Sequence, residues 1–386
     1  MRILHVIQSL DPATGGPPVV ATKLGVAQRR LGHDVLVACY EFPGTAERIE
    51  RVGMPGGRPL EVQLLGMFDR REHLFAARAK AMMPKVLDGA DIVHIHGVWD
   101  PIGKVAANAA RRMGVPYVVC PHGMLDPWAM SQSGWKKKLA LALGYRRMLN
   151  GAAFLHCLNE DEGQLMKPVG LRCATEIIPN GIFAEEFAEL PEKGEFVRRR
   201  PELEGRRYVL FLSRLNYKKG LDYLADAFAE VAKGVGDVDL VVAGPDGGEK
   251  GAFEERIKGY GLQGRVHLVG PLYGRDKLEA FVDAACFCLP SRQEGFSIAI
   301  TEALAVGCPV VISENCHFPE VAQAGAGEIV PLNAHAVAGA LLRVLGDEGK
   351  RKAMGEAGKR LVMERYTWPK IAEMMICAYR RALANS

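Results

Sequence analysis

The sequence predicts an α/β protein made of two doubly wound, parallel-sheet domains. Three observations carry that reading. The chain has 386 residues, room for two or three domains at roughly 150 residues each. Short, continuously apolar runs alternate with helix-patterned stretches, as parallel strands covered on both faces do. One charged stretch, residues 183–207, interrupts the alternation near the middle and carries Pro191 and Pro201.

In the first half, residues 3–10, 34–40, 62–65, 91–96, 117–120, 153–158 and 176–178 read as strands. Helix-patterned segments 18–31, 72–87 and 101–113 lie between them, so residues 1–185 form a first domain of repeated β–α–β units. The break at 183–207 reads as a linker, and Arg198-Arg199-Arg200 as a solvated charge run. A second series follows, with strands at 208–213, 239–243, 266–269, 286–290, 309–312 and 328–330. Its helices fall at 221–233, 253–260, 276–284 and 298–306, giving a second domain over 186–365. The end, 366–386, is helical outside that series, with Pro369 in its first turn, and packs back on the first domain. Ligands of such sheets sit beyond the carboxyl ends of the strands. Two sheets in tandem therefore imply a cleft lined by residues that follow strands.

Composition narrows the function. The net charge is +4, and residues 186–386 hold 27 Lys/Arg against 28 Asp/Glu, which does not describe a nucleic-acid binder. The nine cysteines are odd in number, lack a C-x-x-C and sit mostly in apolar runs, so neither a disulfide framework nor a zinc knuckle is expected. The chain runs from Met1 straight into a strand-like segment without a signal-peptide pattern, and no apolar stretch reaches the ~18 residues of a membrane span. These features together predict a cytoplasmic protein.

Four constellations follow strands. In the first, Ser291 to Glu302, Glu294 lies in a loop and Glu302 eight residues on, two turns into a helix. At ~1.5 Å rise per residue the carboxylates stand up to ~12 Å apart, beyond the roughly 5–9.5 Å of an acid/base pair on one bond. They suit two ends of an extended ligand. The helix start at Gly295, Phe296, Ser297 and Ile298 offers backbone N–H groups to a phosphate. In the second, Arg214 ends a strand, and Lys219 with Gly220 precedes a helix, a pairing of cations that fits a diphosphate. The third is His122 within Pro121-His122-Gly123-Met124-Leu125, after the fifth strand. In the fourth, Gly15 and Gly16 after the first strand permit close backbone approach to a ligand. Without the G-x-G-x-x-G spacing they are not a dinucleotide fingerprint.

These pieces in this order resemble the retaining GT-B glycosyltransferases of family 4 (glycosyl transferases group 1), bacterial polysaccharide type. The E-x7-E at Glu294/Glu302, the R-x4-K-G from Arg214 to Gly220, Pro179-Asn180-Gly181 and the terminal Tyr366-Thr367-Trp368 carry the resemblance. It implies a GT-B fold, with two Rossmann-like domains facing across a cleft, the first for the acceptor and the second for the donor. It also implies roles. Arg214 and Lys219 bind the donor diphosphate and stabilise it as it leaves. Glu302 binds the ribose hydroxyls, and Glu294 contacts the transferred sugar. The backbone of Gly295, Phe296, Ser297 and Ile298 adds donors to sugar and phosphate. His122 touches the donor sugar, and Gly15 and Gly16 approach the diphosphate. The co-substrate is a nucleotide-diphospho-sugar, UDP- or GDP-linked, and the acceptor a glycan or lipid-linked glycan, with no other cofactor. Ser213 stands where the family has a glycine before the arginine, and Pro17-Pro18 follows the glycine pair.

Fixed cations and a helix N-terminus supply what a metal otherwise supplies to a leaving phosphate, so no metal is expected. Asp237-Val238-Asp239 leads into an interior strand, and His94-Ile95-His96 ends one; neither reads as a ligand set. The competing readings are a GT-B phosphorylase or epimerase and a non-catalytic sugar-binding protein. A last feature is basic. Residues 111–147 hold seven Lys/Arg against one acid, Asp126, with Trp128 and Trp135 nearby. Segment 135–147 is either an ordinary helix, Leu and Ala inward, or an amphipathic one meeting anionic lipid at the inner leaflet.

Overall fold

The computed structural model describes residues 1–11, 14–43 and 60–385. They form two compact units, Met1–Asn180 with Trp368–Ser386, and Gly181–Thr367.

Among the described residues, the first unit holds seven parallel strands: β1 (Arg2–Val6), β2 (Asp34–Glu41), β3 (Glu61–Met67), β4 (Ile92–His96), β5 (Tyr117–Cys120), β6 (Phe154–Cys157) and β7 (Thr175–Ile177). Their spatial order is β3-β2-β1-β4-β5-β6-β7. The second unit holds six: β8 (Arg207–Leu212), β9 (Val238–Ala243), β10 (Val266–Gly270), β11 (Cys286–Leu289), β12 (Val310–Ser313) and β13 (Gly327–Val330), in the order β10-β9-β8-β11-β12-β13. Both sheets thus grow outward from a first strand and then resume on its other side. The reversal leaves a crevice beyond β1 and β4 in one unit and beyond β8 and β11 in the other, the place where doubly wound sheets take ligands. The central strands explain their own placement. Every residue of β4, β5, β9 and β11 is buried, which requires covering on both faces.

The last helix, Trp368–Ala384, belongs to the first unit. Trp368, Ile371, Ala372, Met375, Ile376 and Tyr379 are buried on one face, the spacing of a helix stripe. That face packs on the helix Gly16–Arg30.

The structure corrects several boundaries. The strand at 3–10 ends at Val6. The stretch 72–87 is two helices, Arg70–Phe75 and Ala77–Val86, parted at Ala76 with φ +46°. Glu72 Oε1 accepts the Arg78 N–H at 2.9 Å, which caps the second helix across the break. The stretch 183–207 is no linker. It folds into short helical turns that bury Phe187, Phe196 and Leu203 in the second unit's core. That core begins with Ile182, whose N–H bonds Tyr366 O at 2.9 Å, so the junction falls at 180/181 rather than 185/186. Nor is the arginine run merely solvated. Arg199 pairs with Asp276 at 3.0 Å and also with Glu279, and Arg200 lies 3.7 Å over the Phe196 ring.

Candidate functional site

In the second unit the loops after β8 and β11 meet at the reversal point. Lys219 ends a short turn, Tyr217–Lys219, and Gly220 follows in the left-handed region at φ +67°. A Cβ on Gly220 would lie 1.9 Å from the carbonyl oxygen of Pro290. Only glycine lets the first loop lie against the end of β11. That closeness sets the key pair. Lys219 Nζ is 2.6 Å from Glu294 Oε1, which also accepts the Ser291 hydroxyl at 2.5 Å. The carboxylate is 7% exposed and the ammonium 15%.

Arg292 fastens the two loops. Its guanidinium forks onto Asp222 at 2.8 and 2.6 Å, bonds Tyr217 O at 2.9 Å and lies 4.0 Å over the Tyr217 ring. Its own N–H reaches Lys218 O at 2.7 Å. Arg214 differs: it is exposed and forms no ion pair with any described residue. The loop pair therefore offers one held ammonium and one unheld guanidinium beyond adjacent strands.

The helix Ile298–Val306 follows, and the side chain of Ser297 makes no capping bond to it. Its first-turn N–H groups are open to a ligand. Phe296, half-buried, packs against Phe318 and Tyr366, so its ring anchors the loop. Glu302 is buried, and its Oε1 takes Lys277 Nζ at 2.6 Å. The Asp237/Asp239 pair is taken up by three arginines and a histidine. Arg207 forks onto Asp237 at 2.8 and 3.1 Å. Asp239 takes Arg206 at 2.6 Å, Arg265 at 2.8 Å and His267 at 2.9 Å. Burial pushes the Asp239 carboxyl up, but those three bonds outweigh it and hold it below the usual range.

In the first unit, Gly15 caps the helix Gly16–Arg30 at φ +130°. Pro17 and Pro18 have no N–H, so the backbone donors of that first turn are those of Gly15 and Gly16. His122 sits in a turn closed by Met124 N–H to Pro121 O at 3.1 Å. His122 and Gly123 have φ +52° and +72°, the positive pair of a type I′ turn. Glu162 braces it, accepting the N–H groups of Gly123 at 2.6 Å and Leu158 at 2.7 Å. Both His122 nitrogens have partners inside the unit, His96 Nδ1 at 3.2 Å and Cys120 Sγ at 3.6 Å.

Comparison with known proteins now identifies the group. Residues 193–361 match the family described as Glycosyl transferases group 1, and residues 15–181 match the Glycosyl transferase 4-like domain. The phosphatidyl-myo-inositol mannosyltransferase of Mycolicibacterium smegmatis is 31% identical over 98% of this chain and 93% of its own. An uncharacterized glycosyltransferase of Methanocaldococcus jannaschii is 30% identical over 99% of both. The chain belongs to the group 1 glycosyltransferases.

The fold agrees. Anabaena HepE, solved with UDP, superposes at a TM-score of 0.80 with 19% identity, over 99% of this chain and 100% of that one. The two Rossmann-like sheets of this glycosyltransferase are those of the GT-B class. Sequence reasoning overlooked three residues of its second unit. Ser291 and Arg292 were inside the quoted motif but without a role, and Lys277 looked like any helix lysine. In the first unit it missed Glu162, together with His5 and His156, which the sheet places beside His94.

Proposed function

We propose that this glycosyltransferase is a retaining, metal-independent hexosyltransferase. It moves a hexose from a UDP- or GDP-linked donor to a sugar or lipid-linked glycan in polysaccharide or glycoconjugate synthesis. The observation that carries the reading is the Lys219–Glu294 pair beside the unpaired Arg214, at the sheet position where diphosphates bind. In this reading Arg214 and Lys219 take the donor diphosphate, with the N–H groups of Phe296, Ser297 and Ile298. Charge that builds on the departing β-phosphate meets the Lys219 ammonium and the Arg214 guanidinium, which lowers the barrier. Glu294 holds hydroxyls of the transferred sugar. Glu302 holds the ribose through the oxygen that Lys277 leaves free. His122 contacts the sugar, and Gly15 and Gly16 the diphosphate. The relative from M. smegmatis, a mannosyltransferase of phosphatidyl-myo-inositol by name, supports a hexose donor and a lipid-borne acceptor.

The basic segment fits such an acceptor. Trp135, Leu139 and Leu143 are 69%, 50% and 63% exposed, so these leucines do not face inward as an ordinary helix would have them. Residues 127–159 hold no acid, while Lys136, Lys138, Arg146 and Arg147 are exposed. In this reading the segment meets the anionic inner leaflet from the cytoplasm. The test of function is a thermal-shift panel of UDP, GDP, ADP and their hexose conjugates, on the wild type and Lys219→Ala. One nucleotide diphosphate should raise the melting temperature of the wild type and not of the variant. Equal shifts in both, or none in either, would overturn the donor site.

A further inference from the structure

The interior of the first unit contains an unbroken line of polar side chains where a doubly covered sheet is otherwise apolar. It draws His5 from β1, His94 and His96 from β4, Cys120 from β5, His122 from the following turn, His156 from β6, Gln28 from the helix Gly16–Arg30 and Tyr379 from the last helix. Burial keeps the five rings far below the ordinary histidine range, His5 and His156 at about 4. All are therefore neutral near pH 7, with one N–H and one bare nitrogen each.

The line has one sense. His156 Nε2 is 2.7 Å from the carbonyl oxygen of Ile178. A carbonyl only accepts, so the His156 proton is on Nε2 and Nδ1 is bare. Nδ1 then accepts from His94 Nε2 at 3.4 Å. His94 Nδ1 is bare in turn and accepts the Tyr379 hydroxyl at 2.6 Å. The Tyr379 oxygen accepts Gln28 Nε2 at 3.3 Å, which leaves Gln28 Oε1 to accept His5 Nε2 at 2.7 Å. His5 Nδ1 accepts His96 Nε2 at 2.9 Å, and His96 Nδ1 accepts His122 Nε2 at 3.2 Å. His122 Nδ1 is left to accept the Cys120 thiol at 3.6 Å. Each ring N–H, the Tyr379 hydroxyl and the Cys120 thiol finds an acceptor, and the Ile178 carbonyl fixes all five tautomers.

We propose that this line is a tautomer lock: it holds His122 with its proton on Nε2, and Tyr379, Gln28, His5 and His96 are positioning residues that transmit the choice from Ile178. The line conducts no proton, because neither the Gln28 amide nor the terminal carbonyl can pass one on. Its effect is on what His122 presents. A sugar oxygen arriving there meets an N–H donor shared with His96, and no acceptor. The inference rests on the assignment of His122 to the transferred sugar. His5, His94 and His96, and likewise His94, Cys120 and His156, lie close enough to hold a cation, their ligand atoms within 4.8 Å. Yet each ring nitrogen already has its hydrogen partner. The 2.9 Å between His5 and His96 is also shorter than the ~3.4 Å between two nitrogens held at ~2.0–2.1 Å by one tetrahedral metal.

The test is nitrogen NMR of the full-length protein labelled at histidine, with melting temperature, metal content and donor turnover measured on the same samples. At pH 7 the five buried rings should all be neutral Nε2–H. A buried ring protonated on Nδ1, or stoichiometric bound zinc, would overturn the lock. Tyr379→Phe removes one hydroxyl and frees the Gln28 amide to turn. His122 should then populate both tautomers, and kcat should fall roughly tenfold with KM little changed, as when a functional histidine loses its supporting partner. A single unchanged His122 tautomer in this variant refutes the proposal. Should it fail to fold, a second pair decides: His96→Gln keeps His122 in one tautomer, because an amide both accepts and donates, and His96→Leu does not. Full turnover by His122→Ala would sink the sugar-contact role, while the NMR pattern still decides the lock.

Discussion

Lys219 and Glu294 touch at 2.6 Å although 75 residues separate them. The contact exists because β8 and β11 are neighbours in the sheet and Gly220 lets one loop lie on the end of the other strand. Each group is therefore poised before any ligand arrives. A diphosphate reaching Lys219 competes with a carboxylate already there.

Replacing either partner separates function from folding. Lys219→Ala and Glu294→Ala are expected to lower kcat at least ~10²-fold, the scale of a lost charge-stabilising group. Both proteins should keep a cooperative melting transition. Steady-state turnover with the donor found by thermal shift reads the first, and calorimetry the second. Full activity in both variants would remove these residues from the site.

Turnover should persist in excess chelator. Asp237 and Asp239 are taken up by Arg206, Arg207, Arg265 and His267, and the proposed diphosphate site relies on Arg214 and Lys219. Initial rates with and without chelator settle the matter. Complete loss, restored by adding a divalent ion, contradicts this expectation.

Gly220→Ala should be costly out of proportion to one methyl group. The residue sits at φ +67° and its Cβ would meet Pro290 O. A loss of about 2–3 kcal/mol in unfolding free energy is expected, with reduced turnover because Lys219 shifts. Denaturant titration measures it; a change below about 0.5 kcal/mol would mean that the loop does not need this glycine.

Stability should fall in mild acid. Folding lowers His5 and His156 from 6.5 to about 4, so between those values the unfolded chain binds protons that the native one refuses. Stability is then lost as pH drops through 6.5 toward 4, by about 2 kcal/mol per ring at pH 5. Melting temperatures from pH 7.5 to pH 5 test this, and a flat profile would count against neutral buried rings.

The protein should sediment with vesicles rich in acidic phospholipid, less with neutral ones, and less again at high salt. Trp135→Ser with Leu143→Ser should release it while thermal stability stays the same, since both side chains are exposed. Equal binding of wild type and variant would place membrane contact elsewhere or nowhere.

The sequence showed what lies close along the chain. Continuous apolar runs marked the central strands, and the loops carrying Arg214, Lys219 and Glu294 were visible because glycines and charges interrupt those runs just after a strand. Partners set by sheet register were hidden. His5 stands opposite His94 only because β1 pairs in parallel with β4, and no local pattern links residues 89 apart. Lys277 was invisible for a similar reason: a lysine on a helix looks solvated until another helix brings Glu302 to it. The stretch 183–207 misled because its charges outnumber its four buried apolar anchors, Phe183, Phe187, Phe196 and Leu203.

The placement of Tyr379 has a consequence for biosynthesis. The first unit is translated early, but its interior is completed by a helix from the far end of the chain. Residues 181–367 must be made in between, which at about 5–20 residues per second takes roughly 10–40 s. Throughout that interval the nascent domain exposes the bare face of the helix Gly16–Arg30, and His94 and Gln28 lack their phenol. A stop codon anywhere before the last helix would therefore damage the half of the protein that had already been made.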